Sequence, residues 1–273
     1  MNIQWYPGHM ARTKRKLEEQ LRWVDVVLEL ADARLPLSSR NPLLRKLLGH
    51  KPSLLLLNKS DLADRAKTAE WLEKLEKESP VLAISAQTNA NIRNIIPLIE
   101  GLMKDKTQRM EKKGIIGRPI RAMVVGIPNI GKSSLINRLT GGSHAKTGNK
   151  PGVTRGNQWI RIHERVELLD TPGMLWPKFE DPEIGRKLAA TGAIKDEAFD
   201  QEELAYWLLQ WLKQNYLQDI LNHYGLTENE LDLANIGRKR GCLVSGGQVD
   251  TFKAAQIFLK EFRTGKIAKV TMD

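Results

Sequence analysis

Short apolar runs alternate with helically spaced apolar residues over the first two thirds of the chain, and then helical spacing continues alone. Leu17, Leu21 and Val24 recur at intervals of three and four between basic residues, which predicts a surface helix over residues 12–23. The runs VVLEL (26–30), SLLLL (53–57), VLAIS (81–85), RAMVVG (121–126), QWIRI (158–162) and VELLD (166–170) read as strands. Amphipathic stretches separate them at 41–49, 64–78, 91–103 and from Lys132 onward. Unalternating apolar strands between amphipathic helices predict a parallel sheet covered on both faces. KDKTQRMEKKGIIGRP (104–119) is polar, ends in Gly and Pro, and reads as a connector. Beyond about Ala190 the strand pattern stops. Residues 202–225 are helical, Thr227 and Glu230 have capping-box spacing, and a last helix is expected over Asp250 to Arg263. The expected organisation is an α/β domain over 1–185 and a smaller all-helical domain over 186–273.

Composition narrows the class. With 273 residues and 41% hydrophobic content the chain can fill two cores. A formal charge of +11, spread along the length, points to a polyanionic partner, with nucleic acid ahead of an anionic membrane. Cys242 is the single cysteine, so an internal disulfide is impossible and a reducing compartment is expected. The start, MNIQWYPGHM, lacks a signal-peptide apolar stretch, and no run is long enough to cross a bilayer. A cytosolic location is the expectation.

The most specific chemistry is GIPNIGKSS, Gly126 to Ser134, between an apolar strand and a helix. Its G-x-x-x-x-G-K-S spacing lets backbone amides curl around phosphates at the positive end of a helix. Lys132 is placed to reach the β and γ phosphates and the Ser133 hydroxyl to bind Mg²⁺. LLDTPGM supplies the companion element, in which Asp170 would hold Mg²⁺ through water and the Gly173 amide would sense the γ-phosphate. Between them the glycine-rich GGSHAKTGNKPGVTRGN suits a loop ordered by nucleotide and metal, with Thr154 as its candidate Mg²⁺ ligand.

LLLLNKSDL decides the base. The Asp61 carboxylate can accept from guanine's ring N–H and exocyclic amine, whereas adenine offers an acceptor there and no such amine. Asn58 and Lys59 would brace this loop and pack along the base. ISAQ (84–87) resembles the element whose amide contacts guanine O6. The candidate nucleotide set is therefore Asn58, Lys59, Ser60 and Asp61; Ser85, Ala86 and Gln87; Gly126, Asn129, Ile130, Gly131, Lys132, Ser133 and Ser134; and Gly173. The base reader precedes the phosphate loop, the reverse of the usual order. That is circular permutation of a P-loop GTPase, which an open sheet tolerates because its site depends on which strands are neighbours. The helical domain then follows the Asp170 segment directly, so loss of the γ-phosphate could reorient it.

WYPGHMARTKRKL, DARLPLSSRNP (32–42), GIPNIGKSSLINRL, DTPGMLWPK and FLKEFRTGKIAKVTMD together resemble the YlqF/RbgA family of circularly permuted ribosome-assembly GTPases over essentially the full chain. The resemblance implies a C-terminal RNA-binding domain, action on a late precursor of the large ribosomal subunit with its rRNA and ribosomal proteins, and GTP hydrolysis stimulated by that particle. The expected cofactors are GTP and GDP with Mg²⁺. A monomer is the expected free state. Met174 stands where many GTPases carry a water-orienting glutamine, which leaves a slow switch or a substitute residue. The resemblance implies the substitute, His9, joining Lys132, Thr154 and Gly173 in the catalytic set. Asn129 resembles the asparagine that binds K⁺ in potassium-activated GTPases. The basic residues of IGRKRG (236–241) with Lys253, Lys260, Arg263, Lys266 and Lys269 form one candidate RNA surface; Arg12, Lys14, Arg15 and Lys16 form a second. Trp207 and Trp211 read as core. A non-catalytic, GTP-dependent RNA-binding module is the competing function, and no amphipathic or lipidated segment supports a membrane role.

Overall fold

The computed structural model describes residues 15–141, 159–169 and 181–273. The run VVLELAD becomes strand β1 (Val26–Asp32), buried along its whole length. The others are β2 (Ser53–Asn58), β3 (Val81–Ala83), β4 (Ile120–Gly126), β5 (Trp159–His163) and β6 (Val166–Leu169). They form one six-stranded sheet in the order β3–β2–β1–β4–β6–β5. All pairings are parallel except β5 with β6. The two-residue turn at 164–165 folds that pair back as a hairpin, which corrects the all-parallel expectation.

Helices cover both faces, which is why the strands lack alternation. On one face α1 (residues 15–21), α2 (Pro42–Leu48) and α3 (Arg65–Glu76) pack against Val27, Met123, Val125, Leu55 and Leu57. On the other, α4 (Ile95–Lys112) and α5 (Lys132–Leu139) pack against Leu28, Leu30, Leu54, Leu56 and Val124. The expected connector over 104–119 is largely helix. Ile95, Ile99 and Met103 form a buried stripe at four-residue spacing, and good helix formers carry the turns on to Gly114. The join is only residues 113–119.

The helical region comprises α6 (Pro182–Ala190), α7 (Gln201–Asn215), α8 (Leu217–Tyr224), α9 (Leu233–Lys239) and α10 (Thr251–Arg263). Tyr216 leaves helical geometry and divides the expected 202–225 helix. Its hydroxyl reaches Asp64 and the Thr271 amide, on the side of the sheet domain. Trp207 and Trp211 pack against the core, as expected. The boundary expected after residue 185 falls inside α6, and apolar packing is continuous from the sheet to Phe258 and Phe262. After α10 the chain returns: the Val270 amide donates to the Leu62 carbonyl (3.1 Å) and the Met272 amide to Arg34 (2.8 Å). Asp273 accepts from the Leu37 and Ser38 amides, each at 2.8 Å. Among the described residues no helix is long and apolar enough to cross a membrane.

Asp25 fastens the join. Its buried carboxylate accepts from Lys106 of α4 (2.7 Å), Arg118 of the join (3.3 Å) and the Arg121 amide of β4 (2.9 Å). Burial opposes its ionisation, but these donors and charges outweigh that and hold the carboxyl below the usual carboxylate range. A depressed folded-state pKa stabilises above the unfolded value, and the gain is lost as pH falls through the folded one. Asp25→Asn is expected to cost about 1–2 kcal/mol at neutral pH, a figure discounted for the exposure of Lys106. The deficit should shrink below about pH 4, read by urea unfolding across pH.

Candidate functional site

From β1 the chain steps outward through β2 to β3, then crosses to place β4 on the other side of β1. Strand order therefore reverses between β1 and β4, and open α/β sheets bind ligands in the crevice beyond the carboxyl ends of such strands. The phosphate loop leaves β4 at that end, residues 58–61 leave β2, residues 84–87 follow β3, and Asp32 closes β1.

One buried side chain joins three of these segments. Asn58 Nδ2 donates to the Ile130 carbonyl (2.8 Å), and its Oδ1 accepts from the Ala86 amide (3.0 Å). The approach requires glycine next door: a Cβ on Gly131 would lie 2.3 Å from Asn58 Nδ2, and φ there is +103°. Gly126 is similarly confined, its Cβ position falling 2.6 Å from the Leu30 carbonyl oxygen. Lys59 adopts a left-handed conformation, which turns the chain sharply after β2. Its ammonium donates to the Asn129 carbonyl (3.1 Å) and pairs with Asp32 (3.1 Å). The Ser60 amide donates to the Ile84 carbonyl (3.1 Å). Asp61 follows, and its Oδ1 is buried without a hydrogen-bond partner among the described residues. An orphaned buried carboxylate oxygen is costly unless a ligand donor completes it.

The other sequence-predicted residues distribute around this frame. Ser85 is fully buried, its hydroxyl accepting from the Thr88 amide (3.0 Å), and Gln87 is exposed beside it. Lys132 Nζ lies over the loop, donating to the carbonyls of Gly126 (3.1 Å) and Ile127 (2.6 Å). Ser133 and Ser134 occupy the first turn of α5, where free amides and the helix dipole favour an anion. Asn129 is exposed with φ +57°. His9, Thr154, Asp170, Gly173 and Met174 lie outside the described residues.

Two participants were not foreseen. Arg138, on α5, donates to the carbonyls of Ala86 (2.9 Å) and Gln87 (3.0 Å), clamping the base-side loop to the phosphate-side helix. Asp32 holds Lys59. Its advance signals were an acidic residue at the end of a largely apolar strand and its place at the head of DARLPLSSRNP. The candidate RNA surface also contracts: Arg240 is engaged by Glu261 and Arg263 by Asp196, leaving Arg238, Lys239, Lys253, Lys260, Lys266 and Lys269 exposed.

The phosphate loop and the segment that carries Asp61 thus meet at one crevice while their order along the chain is inverted, which defines a P-loop GTPase with circularly permuted motifs. The family model described as 50S ribosome-binding GTPase matches residues 121–241, beginning at the phosphate-loop strand. Ribosome biogenesis GTPase A of Bacillus licheniformis is 45% identical over 278 residues, covering 100% of this chain and 98% of the relative. The Bacillus cereus protein of that name is 46% identical, covering 100% and 94%. The crystal structure of GNP-bound YlqF from T. maritima aligns with a TM-score of 0.65 at 26% identity, covering 96% of this chain and 97% of that one. The chain belongs to the ribosome biogenesis GTPase A family.

Replacing Asp61 by Asn exchanges the orphaned acceptor for a group that also donates. Guanine nucleotide affinity is expected to fall by roughly ten- to hundredfold, the scale of a lost charged hydrogen bond, while xanthine nucleotides gain, read by calorimetry with GDP and XDP. Gly131→Ala should displace Asn58 and weaken GDP binding by at least about tenfold with the sheet intact, as followed by circular dichroism.

Proposed function

We propose that this protein binds and hydrolyses GTP on a late precursor of the large ribosomal subunit and leaves when hydrolysis is complete. The observation that carries this reading is the buried, unpartnered Asp61 oxygen, held by the Asn58 and Lys59 bonds against a phosphate loop. Asp61 precedes Gly126 by 65 positions in the chain, yet both serve one nucleotide. Guanine donates to Asp61, and the amide of the 85–87 loop meets its O6. Lys132 and the amides opening α5 hold the polyphosphate.

Ser133 and Thr154, with Asp170 through water, are oxygen donors of the kind Mg²⁺ takes, and Ser133 stands at the phosphate end of the crevice. Bound there, Mg²⁺ supplies charge neutralisation between the β and γ phosphates. Gly173 senses the γ-phosphate. Asn129 would hold K⁺, which would supply the charge that an arginine finger otherwise provides, and His9 orients or deprotonates the attacking water when the particle docks. The exposed cations of the helical region contact rRNA backbone; the Bacillus relatives are named for ribosome biogenesis, and the matched family description is ribosome-binding.

Turnover is expected to be slow for the isolated protein, to rise by orders of magnitude with large subunits, and to be faster in K⁺ than in Na⁺. His9→Ala should bind GTP normally and lose the stimulated rate. Negligible turnover both with and without subunits would identify a non-catalytic binding module instead.

A further inference from the structure

The Asp32 carboxylate, 2% exposed, is used twice. On one side it pairs with Lys59, whose ammonium also bonds the phosphate-loop carbonyl of Asn129. On the other it receives Arg34: Nε donates to Oδ1 at 3.0 Å and a terminal nitrogen to Oδ2 at 2.8 Å. Arg34 is the largest fully buried side chain among the described residues, and its remaining donors leave the sheet domain altogether. They reach the carbonyls of Thr191 (3.1 Å), at the end of α6, and Arg263 (3.4 Å), the last residue of α10. Two helices of the helical region thus direct their carbonyl ends, the negative poles of their dipoles, at one buried guanidinium. Nothing in the phosphate or base chemistry requires such an arginine.

We propose that Asp32 and Arg34 are positioning residues that couple the base-reading end of the nucleotide site to the helical region. The proposal rests on guanine reading by Lys59 and Asp61. Its physical basis is a continuous polar chain: phosphate-loop carbonyl, Lys59, Asp32, Arg34, and the ends of α6 and α10. Burial leaves Asp32 and Arg34 dependent on their partners, and the half-buried Lys59 carries that dependence to the phosphate loop, so a displacement at one end carries a cost at the other. Coupling is reciprocal: nucleotide that fixes Lys59 favours the docked helices, and docked helices favour retention of nucleotide.

The test uses the full chain, GDP and four variants. Asp32→Asn and Arg34→Met are each expected to accelerate dissociation of a fluorescent GDP by about tenfold, although neither residue is placed on the nucleotide. The charge-neutral pair Asp32→Asn with Arg34→Met strands no buried charge and should show the same acceleration with a folded core. In the unaltered chain, GDP should slow hydrogen exchange at the amides of Gly192, Ala193, Thr264 and Gly265. Arg34→Lys keeps a cation beside Asp32 but lacks the fork that spans two helix ends. It should lose the protection at those four amides and, because coupling is reciprocal, release GDP about as fast as Arg34→Met does. Unchanged GDP dissociation in the double variant overturns the proposal, as does GDP-independent exchange at those amides in the unaltered chain or protection that survives in Arg34→Lys. Failure of the unaltered chain to bind GDP would instead remove the guanine reading itself.

Discussion

Asn58 can lie against the phosphate loop only because residue 131 has no side chain. That contact brings Ile130 and Ala86 onto a single amide, and every other feature of the crevice assumes it. Lys59 reaches Asn129 because the chain turns immediately after Asn58. Arg138 then closes the opposite side. None of these bonds depends on which segment is synthesised first. They require β2, β1 and β4 to be neighbours with their carboxyl ends aligned, and the sheet supplies that order. The inverted motifs are therefore a change of connectivity at constant geometry. The join between α4 and β4 lies at the far edge of the strands, secured by Asp25, where it cannot disturb the crevice.

Most of the sheet was legible because parallel strands buried on both faces write themselves as unbroken apolar runs. The phosphate loop was legible because backbone geometry leaves few residue choices, and guanine chemistry narrows what is expected at residues 58–61. What could not be read was longer in range. Residues 104–112 continue a helix whose apolar stripe has thinned, so charge on the solvent face resembled a linker. The final segment KIAKVTMD has neither helical nor alternating spacing, yet Val270 and Met272 are buried because their partners lie more than two hundred residues earlier. Asp32 and Arg138 are similarly invisible: each acts on a carbonyl or cation that only the tertiary fold brings near. Arg240 and Arg263 were counted as RNA contacts on charge alone, but the helical region spends them internally.

The separation of buried from exposed charge gives the molecule two electrostatic regimes. Asp32 with Arg34, and Glu29 with Arg40, are pairs shut away from water, where solvent screening is weak and geometry is exacting. They fix how the parts sit. Arg238, Lys239, Lys253 and Lys260 stand in water, where they are screened, adaptable and suited to a phosphate backbone. A protein with a net charge of +11 can hold a defined crevice because its structural charges are withdrawn from the surface field.

The helical region is attached to the sheet domain through the chain that leads into α6 and through Arg34 at the far end of that helix. Its first described helix, α6, follows residues 170–180, the segment that carries Asp170 and Gly173. The other end of that helix is gripped by Arg34, whose partner Asp32 holds the base-reading lysine. GTP and GDP share the base and differ in the γ-phosphate. On the proposed reading, in which Gly173 senses the γ-phosphate, hydrolysis would change what precedes α6 and leave the Arg34 anchor at its end unchanged. A body released at one attachment and retained at another pivots instead of detaching. On that reading the helical region rotates about the Arg34 end of α6 and α10, with full release reserved for loss of the whole nucleotide.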